Sequence, residues 1–166
     1  MAATTKTPLG ASTLVRKMYL DVNAGTHAAP TWTAVNGMTD FKPVVEHTLQ
    51  DDADFDSEGY KSSTATAIAW SIETKLARKV TVADPQAYDA GQEILREASG
   101  ELGPANTVEI RWYEMEEDGP REEAYQGYAA VSWSPDGGAM DALDTVSVKL
   151  TGQGKRTAIT HPDPIS

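Results

Sequence analysis

The sequence predicts a mainly β fold: an antiparallel β-sandwich or open barrel of about seven strands, with one α-helix packed on one face. Three observations support this fold class. Residues 107–116 alternate apolar and polar side chains, as a half-buried strand does. Residues 85–98 are the only stretch with an apolar stripe at helical spacing. Turn signals rich in Gly, Pro, Asn and Asp separate the remaining segments of strand composition.

The first half of the chain is interpreted as an arm followed by four strands. Residues 1–12 are small and polar, which is typical of a flexible N-terminal arm. Pro43 lacks a backbone N–H, so the third strand is expected either at an edge of the sheet or to start after the proline. The longest strand places Trp70 and Ile72 on one face. The four predicted strands cover residues 14–22, 32–35, 41–49 and 66–76.

The helix has clear start and stop signals. Asp84 is a natural N-cap, Pro85 suits the first helical position, and Gly100 is a natural stop. Gly91, in mid-helix, costs about 1 kcal/mol relative to alanine. We interpret it as a place where the helix backbone approaches the sheet closely. The helix is therefore expected at about residues 85–98, with its apolar stripe on the sheet.

The second half of the chain predicts a hairpin. Residues 107–116 and 122–133 flank a turn at 117–120 and are expected to pair as antiparallel strands. The tip of this hairpin is acidic, with seven acids between positions 109 and 123. We expect the tip to be solvated, because paired acids at a turn lack the dry pocket that would perturb their pKa values.

The final segment completes one domain. Residues 143–150 form the last main strand, and residues 155–160 add a short one. The chain has 166 residues, no internal repeat and no linker, so we expect a single domain over residues 13–160. A C-terminal tail, residues 161–166, follows it.

Composition excludes several classes of site. The chain has no cysteine, which excludes disulfides, thiolate metal sites and a cysteine nucleophile. No run approaches the roughly 18 apolar residues of a membrane-spanning helix. The N-terminus also lacks the apolar core of a signal peptide. We therefore expect a protein that is made in a cytoplasm and does not associate with a membrane.

The chain is acidic, since 25 Asp and Glu against 14 Lys and Arg give a net charge of −11. A protein that grips nucleic acid needs clustered Lys and Arg to neutralise phosphates. The charge therefore favours either a surface that does not adhere to DNA or simple solubility, and composition alone does not separate these two explanations.

Residues 50–63, QDDADFDSEGYKSS, are the most unusual segment. No hydrophobic period runs through them, so they are expected to form a long solvated loop. A loop of this length in a compact domain is usually either disordered or a contact element, and its two aromatic residues favour contact. The predicted contact residues are Asp51, Asp52, Asp54, Phe55, Asp56, Glu58 and Tyr60.

No motif indicates catalysis or a cofactor. Asp52, Asp54 and Asp56 have the spacing of the first three ligands of an EF-hand loop. The pattern then fails, because Ser57 stands where glycine is needed and the later bidentate acid is missing. The three histidines are scattered, and no nucleophile or phosphate-loop motif occurs. The four tryptophans fall in predicted strands, as core residues or as a platform for carbohydrate. We predict no catalytic, metal-binding or cofactor-binding residues, and no enzyme.

The order of these elements resembles the major tail tube proteins of long, non-contractile-tailed bacteriophages, the siphophage type. The resemblance lies in the loop QDDADFDSEGYKSS, the strand TAIAWSIETKL that follows it, and the helix QAYDAGQEILREA. It covers most of the chain and is a match of order and composition. It implies a structural virion protein, a tail tube subunit whose copies form hexameric rings. The rings stack into a tube that conducts DNA during ejection.

The resemblance also implies partners. The chain would contact itself and other tail proteins, such as the tape measure, the terminator and the distal tail protein. Double-stranded DNA would pass through the tube without specific binding. The protein would reside in the virion tail after synthesis in the host bacterial cytoplasm. We expect the acidic loop to contact neighbouring subunits or rings, with Lys75, Arg78 and Lys79 as a complementary basic patch.

Two alternatives stay open at this stage. Contractile tails and gene transfer agents have tubes of the same fold, and the resemblance does not separate them from siphophage tails. A different class of function is an acidic β-sandwich binding module that uses the loop at residues 51–58 for a cation or a protein partner.

Overall fold

The computed structural model describes residues 2–164, which form one curled sheet and one α-helix. Met1, where the predicted arm starts, and Ile165 and Ser166, where the predicted tail ends, lie outside the described residues. The sheet has seven strands, as predicted. They are β1 (Met18–Asn23), β2 (Trp32–Ala34), β3 (Met38–Asp51), β4 (Ser63–Ala77), β5 (Thr107–Glu114), β6 (Ala124–Pro135) and β7 (Thr145–Ala158), with helix α1 (Ala90–Ser99) between β4 and β5.

The sheet closes into an open barrel. Its strands are antiparallel in the order β2-β1-β5-β6-β7-β4-β3, so β2 and β3 stand at opposite edges. Only residues 35–37 connect those two strands. Six strand spacings in a flat sheet would separate the edges by about 29 Å, whereas four Cα steps span at most about 15 Å. The sheet therefore curls until its edges face each other, and the open barrel is the correct one of the two predicted alternatives.

The inner face of the curled sheet holds the hydrophobic core. Trp70, Trp112 and Tyr125 form a row there, with ring centroids 5.1 Å and 5.7 Å apart. The Trp70 indole lies against Gly127 and Gly152, where a Cβ atom would overlap the ring. All four tryptophans lie in strands, as predicted, and Trp112 is 2% exposed.

Helix α1 packs on this same inner face, but it starts later than predicted. It covers residues 90–99 rather than 85–98, and its N-cap is Asp89, which accepts a hydrogen bond from the Gln92 N–H at 3.1 Å. Asp84 instead closes a turn by accepting from the Gln86 N–H. The reason is a β-bridge between Val80 and Tyr88, which holds the intervening residues in a closed loop. The predicted stop at Gly100 is confirmed.

The predicted close approach of the helix is also confirmed. A Cβ atom on Gly91 would overlap the backbone of Ala34 and Val35, the residues at the end of β2. Gln92, which is 1% exposed, donates hydrogen bonds from its amide nitrogen to the carbonyl oxygens of Asn36 and Ala77. The helix therefore ties the connection between the two sheet edges to the end of β4.

Three strands depart from the prediction. β3 runs straight through Pro43, which it tolerates because β3 is an edge strand, as predicted. β7 is one strand instead of two, because a bulge with Gly154 at φ +79° absorbs the irregular register against β6. The half-buried prediction for residues 107–116 was wrong. In β5 the outward-facing Glu109 and Tyr113 are buried as well.

Candidate functional site

A two-stranded ribbon extends beyond the barrel. β4 pairs with β7 only from Ser71 to Ala77, whereas β3 and β4 stay paired out to Asp51 and Ser63. We call residues 44–70 the projecting hairpin. Every residue from 45 to 69 except Ser57 is exposed. An isolated two-stranded hairpin is only marginally stable in water, so this ribbon lacks the support that the barrel strands give one another.

The tip of the projecting hairpin is an ordered loop. Asp54 caps a short 3-10 helix, Phe55–Ser57, by accepting hydrogen bonds from the Asp56 N–H and the Ser57 hydroxyl, both at 3.0 Å. Asp52 accepts from the Thr64 hydroxyl. Hydrogen bonds from Thr64 and Ser62 lower the pKa of Asp52, so its charge persists well into acid. The predicted loop at residues 50–63 is thus a loop over residues 52–62 with a defined shape.

The structure brings all seven predicted contact residues together at this tip. Phe55 and Tyr60 are 107% and 79% exposed, and no other large apolar side chains lie in the loop. The acids surround them in sequence and are exposed as well. The tip therefore presents two aromatic rings in a strongly negative setting. The seven residues are Asp51, Asp52, Asp54, Phe55, Asp56, Glu58 and Tyr60.

The predicted basic patch lies at the other end of β4, and one of its members faces inward. The Arg78 side chain is 7% exposed and donates to Glu93 Oε1 at 2.6 Å. Its guanidinium also stacks on Tyr88, 3.9 Å from the ring centroid. Arg96 first, and then Arg78, lower the pKa of Glu93. Arg78 thus joins β4 to α1, and only Lys75 and Lys79 are exposed.

A cleft opens at the base of the projecting hairpin, where β4 and β7 separate. It has a volume of about 790 Å³. Trp70 marks its inner end and donates from Nε1 to the Gly154 carbonyl oxygen at 2.8 Å. Apolar side chains of the hairpin form one wall, and the Lys155–Arg156 pair lies on the other. The lining residues are Val45, His47, Ile68, Ala69, Trp70, Gly152, Gly154, Lys155 and Arg156.

Sequence reasoning missed this cleft. The pair Lys155–Arg156, which directly follows Gly154, was the only local signal for it. Its walls come from three segments that are far apart in the chain, and alternation within each segment does not reveal where two strands separate.

The outward face of β3, β4, β7 and β6 is broad and polar. Ser, Thr and Ala dominate it, and each of its lysines lies directly across from an acid. Lys42 and Lys149 both pair in register with Glu73. Lys75 lies across from Asp40. Cross-strand neighbours of opposite charge neutralise one another locally, so this face has no row of unpaired cations.

The outward face of β5 and β1 is covered instead. Burial alone would raise the pKa of Glu109, but hydrogen bonds from Asn23, His27 and Gln126 bring it below its usual range. The Arg111 guanidinium donates to the Asp21 carboxylate at 2.8 Å. Burial, and then Asp21, raises the pKa of Tyr113 to about 12. The contacts of Glu109 with Asn23 and His27 bind the loop after β1 to the sheet.

Two further findings concern metal and membrane binding. Among residues 2–164, no three His, Cys, Asp or Glu side chains are grouped so that they could hold a metal ion. In the same part of the chain, no helix has the length and apolar character needed to cross a bilayer.

Solved tail structures share this architecture. The tail of an empty gene transfer agent (GTA) particle, with C6 symmetry, matches with a TM-score of 0.62 at 12% identity, over 89% of this chain and 99% of that chain. The virion of a native GTA particle gives 0.59 at 12% identity, with the same coverage. The SPP1 tail tube gives 0.64 at 13% identity, over 89% of this chain and 80% of that chain.

No protein-family model and no curated protein sequence matches the chain. The likeness is therefore one of structure, and it covers 89% of the chain. The chain has the tail tube fold found in bacteriophages and gene transfer agents.

Proposed function

We propose that the protein is the subunit of a virion tail tube, a structural protein that polymerises instead of catalysing a reaction. The observation that carries the proposal is the projecting hairpin. Its 25 residues of ribbon and loop, positions 45–69, pair only within the hairpin and with no other strand of the subunit. Unpaired strand edges are a liability in a monomer and an assembly device in a polymer. The tail tube fold supports the same reading.

Stacked hexameric rings are the form of polymer that we propose. The GTA tail that shares this fold was determined with C6 symmetry. In such a ring the tip of the projecting hairpin contacts a neighbouring subunit or ring. At the ends of the tube, we propose contacts with other tail proteins, such as the tape measure, the terminator and the distal tail protein.

The outward polar face of β3, β4, β7 and β6 is the surface that we propose for the channel through which DNA is ejected. Six copies at −11 each give a ring a charge of −66. On the proposed channel face, Lys42 and Lys149 flank the single acid Glu73, and Lys75 lies across from Asp40. DNA passing such a surface meets no cluster of free cations that would hold its phosphates, which is what a conduit requires.

Electron microscopy of the purified protein tests the proposal. We expect negative-stain images to show rings or tubes of uniform diameter with a central channel. A variant in which residues 46–69 are replaced by a two-residue turn leaves the Val45–Trp70 pair to flank the turn. It should keep the fold, by circular dichroism, and should not polymerise. A wild-type protein that stays monomeric at every concentration and salt condition, including conditions that crowd the protein, would contradict the proposal.

The exposed Phe55 and Tyr60 favour a second candidate, an acidic module that uses its loop to contact a different protein. This candidate predicts a stable monomer, whereas the first predicts homotypic assembly. Sedimentation velocity on the wild-type chain separates the two.

A further inference from the structure

We propose that the acidic tip of one copy docks into the cleft between β4 and β7 of another copy, with Phe55 as the anchor. This inference rests on the proposed self-assembly and names the surface that receives the tip. That surface differs from the basic patch at Lys75, Arg78 and Lys79 that the sequence suggested.

The two surfaces match in shape and apolar character. Phe55 is fully exposed in the capped 3-10 turn at the end of the ribbon. The cleft is open, and its hairpin wall continues the core face of the sheet through Val45, Ile68 and Trp70. Of these, Ile68 is 68% exposed and Val45 is 39% exposed. An aromatic side chain that fills an apolar pocket is the usual energetic centre of a protein interface.

The two surfaces also match in charge. Asp54 and Asp56 flank Phe55 in the chain, and Lys155 and Arg156 rim the cleft. Arg156 is held in place because its guanidinium stacks on Tyr125, 4.3 Å from the ring centroid. His47 is the remaining titratable group on the cleft wall, and Glu46 projects from the opposite face of β3. Docking therefore brings the acids beside Phe55 to the basic wall of the cleft.

The tip cannot reach the cleft of its own chain. β3 and β4 stay paired, across one irregularity after Thr48, from the Val45–Trp70 pair to the Asp51–Ser63 pair. Six residues of strand place the tip about 20 Å from the cleft. The contact must therefore join two copies through two different patches. Such head-to-tail contacts propagate into rings or filaments rather than closed dimers.

The basic patch is a weaker receiver for the tip. Arg78 is buried in its contacts with Glu93 and Gln92. Lys75 already faces Asp40 across the strand pair. Neither lysine of the patch lines an apolar pocket that would accept Phe55.

Charge exchange between the two surfaces tests the inference. The tip variant Asp54→Lys/Asp56→Lys and the cleft variant Lys155→Glu/Arg156→Glu should each slow tube growth about tenfold or more in light scattering. Combining all four substitutions in one chain should restore growth. Because Arg156 also packs on Tyr125, Lys155→Glu alone provides a second cleft variant at an exposed position, and circular dichroism checks that each variant is folded.

Mixing the tip variant with the cleft variant provides a second test of the contact. An equal mixture of the tip variant and the cleft variant offers two matched pairs of surfaces. These are an unaltered tip against an unaltered cleft, and a lysine tip against a glutamate cleft. The mixture should therefore restore tube growth in light scattering through alternating copies, while each variant alone grows slowly.

Lys75→Glu/Lys79→Glu is the matched control and should not rescue the tip variant. Rescue by that control, or unaltered growth of the cleft variants, would overturn the inference while wild-type tubes leave the proposed function standing. A wild-type chain that forms no tubes at all would overturn the proposed function, and the inference would fall with it.

Discussion

The barrel body and the projecting hairpin differ in whether their side chains have partners within the chain. In the body, aromatic rings are packed against one another, and buried polar groups such as Gln92 and Glu109 have hydrogen-bond partners within the chain. In the projecting hairpin, Phe55, Tyr60 and Ile68 face solvent although the backbone is as regular as in the body. The difference shows that regular backbone pairing alone does not bury side chains. We propose that the exposed apolar side chains of the hairpin are covered by another copy.

The largest expected contrast comes from removing one aromatic ring from each region. Trp112→Ala should lower the free energy of unfolding of the subunit by about 3–5 kcal/mol, because it empties the centre of the aromatic row. Phe55→Ala, the matched change in the hairpin, should alter monomer stability by less than about 0.5 kcal/mol and act only on assembly. Urea denaturation of both variants measures this. A Phe55→Ala monomer that is clearly destabilised would erase the distinction between the regions.

Gly91→Ala tests how tightly the helix packs in the body, because the expected change in stability has the opposite sign to the usual one for a helix. Alanine normally stabilises a helix by about 1 kcal/mol relative to glycine. Here the added Cβ would overlap the backbone of Ala34, so we expect destabilisation by about 1–3 kcal/mol. Gly100→Ala is the control, since its Cβ would meet only the Glu97 carbonyl oxygen at 3.5 Å. Thermal melts of both variants suffice, and a stabilised Gly91→Ala protein would refute the close packing.

Buried charge gives the body a dependence on pH. Burial alone would raise the pKa of Glu114, but N–H donors of Glu123 and Glu122 and the Lys17 ammonium bring it below its usual range. A lowered folded-state pKa gives stability that is present above the unfolded value, about 4.3, and is lost as pH falls through the folded value.

Glu114→Gln should therefore cost about 1–2 kcal/mol at pH 7 and little at pH 3. Unfolding free energies measured between pH 3 and pH 7 test this. An equal loss at both ends of that range would mean that the carboxylate charge is irrelevant.

The smallest expected effect distinguishes the true helix cap from the predicted one. Asp89→Ala should cost about 1 kcal/mol, because the carboxylate caps α1 and also accepts from the Asn36 side chain at 2.7 Å. Asp84→Ala should cost less than about 0.5 kcal/mol, since Asp84 only closes a surface turn. Chemical denaturation of the pair is the measurement, and a larger loss for Asp84→Ala would restore the helix start that the sequence suggested.

Local chemistry was enough to predict much of the fold. Alternation and turn residues gave seven strands, Pro43 gave an edge strand, and Gly91 gave the close approach of the helix. These features depend on residues near one another in the chain, or on the absence of a single N–H or Cβ.

Features made by distant segments were not predicted. The helix start moved because Tyr88 bridges to Val80, and β5 was buried on both faces because Glu109 binds the loop after β1. Arg78 was counted as a surface charge because the sequence around it does not indicate its contact with Glu93. The exposed loop of the tip, by contrast, could be predicted, since five acids and two aromatics lie within one short segment. The contact role of those residues stays a prediction.

The length of the projecting hairpin bears on the spacing of subunits in the proposed tube. Pairing of β4 with β7 fixes the base of the hairpin, and its tip is the part that we propose contacts another copy. The length of the ribbon therefore sets the distance between these two points. Each added pair of residues would lengthen it by about 3.3 Å. If the tip docks as proposed, the number of residues between Trp70 and the acidic loop determines the spacing of subunits along the tube. A change in that number should appear directly as a changed repeat in the diffraction pattern of the tubes.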